Sequence, residues 1–130
     1  ELMEFIHDYV ADSLEFHPVD EPVAIHLTCS TRKMKVDKKL LALARKCSTQ
    51  VVLPEGVGCC GFAGDKGFTH PELNAYALRH LREAIEKAQV KRGFSNSRTC
   101  EIGLTTHSGV PYQSLVYLIN ECTTPKKRTN

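Results

Sequence analysis

Apolar residues at Leu2, Phe5, Ile6, Tyr9, Val10 and Leu14 recur at helical spacing, and Glu1, Glu4, Asp8, Asp12 and Glu15 occupy the opposite face. The pattern predicts an amphipathic leading helix within residues 1–17. His17-Pro18 and Glu21-Pro22 then predict a linker, because the residue before each Pro is pushed out of the α region. Val23 to Leu27 reads as a short strand stopping at Thr28-Cys29-Ser30. Asp37 is placed to cap a helix carrying Leu40, Leu41, Leu43 and Ala44 through Cys47, and Val51-Val52-Leu53 before Pro54 reads as a second buried strand. Strand, helix and strand at this spacing predict a βαβ unit with a parallel pair. Thr69-His70-Pro71-Glu72 has capping-box spacing and predicts the longest helix, with Leu73, Ala77, Leu81, Ala84, Ile85 and Ala88 inward and Glu83 with Lys87 outward. A third strand is expected within 93–97. Thr99 is placed to cap a brief helix from Cys100, stopped at Ser108-Gly109, and Tyr112, Leu115, Val116 and Ile119 fit a last helix. Residues 123–130 read as a solvated tail.

These elements describe one α/β domain over residues 1–130, with a small parallel sheet of three to four strands flanked by helices. The arrangement is Rossmann-like, and in such sheets ligands bind at the carboxyl edge. A chain of 130 residues with 42% hydrophobic positions can bury a core of its own. Seventeen Lys and Arg against fifteen Asp and Glu leave a formal charge of +2, too small to point to a nucleic-acid partner. No apolar run approaches a membrane span and no signal-peptide pattern is present, so reducing cytoplasm is the expected setting. In that setting, six Cys in a full-sized domain point to metal or redox chemistry more than to structural bridges. The chain also begins at Glu1, already inside a helical pattern, and is expected to be the C-terminal part of something longer.

The cysteines carry the sharpest signal. Cys29 closes a strand, Cys59 and Cys60 lie in a loop with five glycines between Gly56 and Phe68, and Cys100 lies at an expected helix start. All these places fall at the carboxyl edge of a doubly wound sheet. A helix N-terminus favours a thiolate, and backbone N–H groups of a glycine loop can donate to sulfur, offsetting the negative charge that four thiolates around a metal would gather. Adjacent thiols such as Cys59-Cys60 suit a polynuclear cluster better than a single tetrahedral zinc, whose ligand pairs are usually spaced. The competing reading is that these are small buried hydrophobes. Packing is the preferred reading for Cys47 and Cys122, which sit among Leu43, Val51, Leu118 and Ile119. His26 is expected on the strand face opposite Cys29, and His107 at a surface helix end. Asp65 and Lys66 are read as stabilising the glycine loop or meeting a partner, and Arg98 as offsetting site charge or as solvent-exposed.

The segments Gly58-Cys59-Cys60-Gly61-Phe62-Ala63-Gly64-Asp65 with Pro71-Glu72-Leu73, and Ser97-Arg98-Thr99-Cys100-Glu101-Ile102-Gly103-Leu104, resemble the cysteine-rich CCG domain. That domain occurs in heterodisulfide reductases, glycolate oxidase iron–sulfur proteins and anaerobic glycerol-3-phosphate dehydrogenases. The likeness is greatest to the C-terminal domain of long FAD-linked D-lactate dehydrogenases and covers about residues 20–122. The resemblance implies that Cys29, Cys59, Cys60 and Cys100 are iron–sulfur ligands or redox thiols, with Gly58, Gly61 and Gly64 shaping the loop around the cofactor. It implies electron transfer from FAD, held in a flavin domain of the same parent chain, to a quinone- or cytochrome-type acceptor. The parent enzyme would then be cytoplasmic or peripheral to the inner face of the membrane, and this part alone would not turn over a hydroxy acid. The fullest form of the motif ends Cys-x-x-Cys, whereas Gly103 stands three residues after Cys100 here. A cluster-free thiol/disulfide domain and a structural zinc or interaction domain are the alternatives. The leading helix is expected to pack on the domain, on the flavin portion, or on a second copy as a homodimer.

Overall fold

The computed structural model describes residues 1–54, 57–58, 60–61 and 66–127. Its framework is a four-stranded parallel sheet of β2 (Val19–Ile25), β3 (Ser48–Val52), β4 (Gly93–Ser95) and β5 (Tyr112–Ser114), in the order β3-β2-β4-β5. The expected α/β class and parallel sheet are therefore present. From β2 the chain steps to β3 on one side, then crosses back to β4 on the other. This reversal puts a topological switch point between β2 and β4, and ligand crevices open outside the carboxyl ends of strands at such points.

Alternation along β2 sorts the two cores. Val23 and Ile25 face one layer with Phe94, Leu40 and Leu43 of α3 (Asp37–Cys47), and Leu115 and Leu118 of α8 (Leu115–Cys122). Ala24 faces the other layer, with Leu78, Leu81 and Ile85 of α6 (Leu81–Lys87) and its approach, and Leu104 of α7 (Arg98–Ser108). Each is buried to within a few per cent of its surface. At about 25 cal/mol per Å² of apolar area removed from water, these two layers are the main stabilising force.

Several boundaries differ from expectation. The leading helix α1 (Leu2–Phe5) runs on through a π-helical turn, Ile6–Val10, and a 3-10 turn, Ala11–Ser13. Along this run Met3 and Ala11 are buried while Leu2, Phe5 and Tyr9 are exposed. Leu14 is not helical; it opens β1 (Leu14–Phe16), which pairs antiparallel with β6 (Thr123–Pro125) in the segment expected to be tail. Glu21-Pro22 is strand rather than linker. Pro22 pairs with Gln50 on the β3 side, while pairing to β4 begins only at Ala24, so the missing N–H of Pro22 lies where β2 has no second neighbour.

A short helix, α2 (Cys29–Lys33), follows β2, and Asp37 is the first residue of α3 rather than its cap. The long helix expected after Thr69 is two helices, α5 (Pro71–Ala77) and α6, preceded by α4 (Lys66–Thr69). Its buried face is Asn74, Leu78, Leu81 and Ile85, and Leu73 is exposed. Thr69 forms no capping box; its side chain meets His70 Nδ1 at 2.9 Å, and α5 starts without a side-chain cap. The α7 helix starts after Ser97 and stops at Gly109, whose φ of 81° is the left-handed stop expected there. Tyr112 belongs to β5, not to the last helix. No helix among the described residues is long and apolar enough to cross a membrane.

Candidate functional site

The loops after β2 and β4 are tied together across the switch point. Thr28 caps α2, its hydroxyl accepting from the Thr31 N–H at 3.2 Å. The same hydroxyl donates to Asn96 Oδ1 at 3.2 Å, and Asn96 Nδ2 donates to the Thr31 hydroxyl at 2.8 Å. Cys29 is the first residue of α2, beside this network, and its side chain is exposed. Cys100 lies in the first turn of α7, just beyond Asn96, and is half-buried.

Cys60 approaches from the glycine loop. Its Sγ lies 2.8 Å from Cys100 Sγ, although 40 positions separate the two residues. Among the described residues, Asn74 and two glycines fix this approach. Asn74 is 4% exposed, and its Nδ2 donates to the Cys60 carbonyl at 2.5 Å. Gly61 has φ of 75°, and a Cβ there would lie 2.6 Å from both Ala77 Cβ and the Leu73 carbonyl oxygen, so only glycine lets the loop lie this close to α5. A Cβ on Gly103 would overlap the Asn74 side chain, so α7 docks on α5 through that glycine. Asn74 therefore stands between the helix carrying Cys100 and the backbone of Cys60. Sequence reading missed it, although a polar residue four before Leu78 and seven before Leu81 was the available signal.

His26 holds the other side of the loop. Its Nε2 donates to the Gly58 carbonyl at 3.0 Å, and the ring is 5% exposed. Burial, with Arg32 nearby, lowers its pKa below the ordinary value and holds the ring neutral. Strand alternation puts His26 on the Ala24 layer, the one that also contains Cys60. Among the described residues, nothing lies within 4 Å of where a Cβ on Gly58 would stand.

Beside Cys100, Glu101 is buried, and its pKa is raised by desolvation against the opposing pull of Arg98 at 3.3 Å. Arg98 itself is mostly in solvent. His107 is half-buried at the far end of α7, roughly 10 Å of helix rise from Cys100. Cys47 and Cys122 are in the apolar core, as their packing reading predicts. Cys59, Gly64 and Asp65 lie outside the described residues.

The structure thus brings Cys60 and Cys100 into contact and places Cys29 at the same sheet edge. Among the described residues, no group of three or more His, Cys, Asp or Glu side chains is arranged to hold a metal ion. The donor chemistry of Cys60 and Cys100 fits thiolate ligation of iron, and Cys29 is exposed without being drawn into that contact. The profile of the family described as Cysteine-rich domain, CCG, matches residues 23–105, well over half of the chain. That span runs from β2 through most of α7 and includes every side chain that builds the site. No curated protein matches the chain.

Proposed function

The chain belongs to the cysteine-rich CCG domain family, and from that premise we propose that it is the electron-transfer domain of an FAD-linked 2-hydroxyacid dehydrogenase of the D-lactate or glycolate type. In this reading Cys60 and Cys100, with Cys29 and Cys59, would hold an iron–sulfur cluster. The observation that carries it is the meeting of the Cys60 and Cys100 sulfurs at the carboxyl edge. Such a cluster supplies one-electron storage at a potential set by net charge and by hydrogen bonds to sulfur.

The chain's own residues do the positioning. Asn74 fixes the backbone of Cys60, Gly61 lets the loop close, and the first turn of α7 presents backbone N–H groups beside Cys100. The neighbouring Leu78, Leu81 and Leu104 keep water from one side of Cys60. The FAD belongs to a flavin domain of the parent chain, and a quinone- or cytochrome-type acceptor takes the electrons. Exposed Leu2, Phe5 and Tyr9 support docking of the leading helix on that flavin portion or on a second copy.

Anaerobic reconstitution of the chain with iron and sulfide, read by visible and paramagnetic resonance spectra, tests the proposal. Binding that survives desalting supports it; no bound iron or sulfide, also in the longer parent chain, removes the cluster. A second reading rests on the same sulfur contact: Cys60 and Cys100 lose two protons and two electrons to the flavin or acceptor and become a disulfide. Mass spectrometry with and without reductant separates the two readings, and stoichiometric zinc that supports folding would favour a structural domain instead.

A further inference from the structure

A cavity of about 120 Å³ opens at the carboxyl ends of β2 and β3. Its lining mixes apolar side chains with polar surface, and Leu81, Leu104 and Tyr112 in it also pack in the Cys60 layer. Among the described residues, three polar side chains line it: His26, Arg32 and Tyr112. Tyr112 reaches it because Gly93 has no Cβ, leaving room for the ring to cross β4, and Thr105 Oγ1 accepts from the Tyr112 N–H at 2.9 Å.

Two of these side chains are unfinished. Neither His26 Nδ1 nor the Tyr112 hydroxyl has a hydrogen-bond partner among the described residues, and the side chains are only 5% and 3% exposed. A polar group buried unpaired is costly, so two in one cavity point to something that completes them. The geometry also sets what that something must be. His26 Nε2 donates to a carbonyl, so the proton is on Nε2 and Nδ1 can only accept. The Tyr112 phenol is kept protonated by burial and can donate. Arg32, exposed at the mouth, adds a cation with no carboxylate partner among the described residues.

We propose that this cavity is a binding site for a small oxyanion that also carries a hydroxyl. The hydroxyl donates to His26 Nδ1, and the charged oxygens accept from Tyr112 and Arg32. A cavity of about 150 Å³ admits benzene, with six non-hydrogen atoms, so this one suits an ion of roughly four or five. Bicarbonate and hydrogen phosphate both meet the description. The site goes beyond the electron-transfer reading and does not use a cluster, so either can fail without the other.

Nuclear magnetic resonance titration of the full chain at neutral pH tests it, with bicarbonate against nitrate and phosphate against sulfate. Within each pair the shape is similar, and only the first ion carries a hydroxyl. The expected result is saturable shifts centred on His26, Arg32 and Tyr112, at least about tenfold tighter for a hydroxylated ion than for its counterpart. Whichever hydroxylated ion binds tighter identifies the source. Tyr112→Phe and Arg32→Gln should each weaken binding by about tenfold while the folded spectrum is retained. Should Tyr112→Phe unfold the chain, surface-located Arg32→Gln decides. Equal affinity within both pairs, shifts unmoved by Arg32→Gln, or ordered water alone bridging His26 and Tyr112 would overturn the proposal.

Discussion

Among the described residues two pairs of cysteines come into contact, one on each face of the same sheet. Cys47 and Cys122 meet where α3 and α8 end, inside the layer built from Leu43, Phe94 and Leu118. Burial is the main force pushing both thiols above their ordinary pKa, so they stay neutral and pack as small hydrophobes. Cys60 and Cys100 meet on the other face, at the end of the sheet where loops open, and one of them is only half-buried. Contact between thiols is therefore not what marks a site. The distinguishing features are the carboxyl edge, a backbone pinned by Asn74 and the first turn of a helix.

The contrast breaks first at metal loading. Cys60→Ser or Cys100→Ser should lower bound iron and sulfide after reconstitution by more than about tenfold, while Cys47→Ser leaves both unchanged. Equal loss from all three substitutions would erase the distinction. Urea unfolding should rank the pairs the other way. Cys47→Ser puts a hydroxyl into apolar packing and should cost about 1–3 kcal/mol, against less than about 1 kcal/mol for half-buried Cys100→Ser. Asn74→Leu sharpens the point by leaving the Cys60 carbonyl without its donor, at a cost of about 1–3 kcal/mol. Alkylation of the native protein should modify exposed Cys29 quickly, and Cys47 and Cys122 only after unfolding.

Acid tests the loop anchor. His26 has a lowered pKa in the folded state, so the unfolded chain binds the proton more readily, and stability present at neutral pH is lost as pH falls from 6.5 toward the folded value. His26→Gln should flatten that slope, which is at most about 1.4 kcal/mol per pH unit for one group. Glu101 is the smallest effect and has the opposite sign. Its raised pKa means that stability is fully present below 4.5 and is lost as pH rises through that value toward the folded one. Glu101→Gln should remove this loss, as seen in urea midpoints measured in half-unit steps from about pH 4 to about pH 6.

Much of the glycine loop lies outside the described residues, but the parallel strands were legible in the sequence because each is written locally as an apolar run, and the strand ends put Cys60 and Cys100 at one edge. The β1–β6 ribbon was not, since Leu14–Phe16 finds its partner in Thr123–Pro125 and nothing local specifies that pairing. The break between α5 and α6 carries no Gly or Pro. Leu78 leaves helical geometry there, at φ −107° and ψ 18°, and the inward face of α5 sits one residue on from the expected one, with Leu73 exposed and Asn74 buried. The residue that organises the site was thus hidden by a register error of a single position.

That position also constrains how this chain can change. The fuller motif would place a cysteine at 103, but its Cβ would stand 2.8 Å from Asn74 Oδ1, and Asn74 is held in place by the Cys60 carbonyl. Gly103→Cys alone is blocked, and Asn74→Ala alone strands a carbonyl, so each step is costly without the other. The two residues form an epistatic pair, and a lineage moving toward or away from the longer motif has to exchange them together.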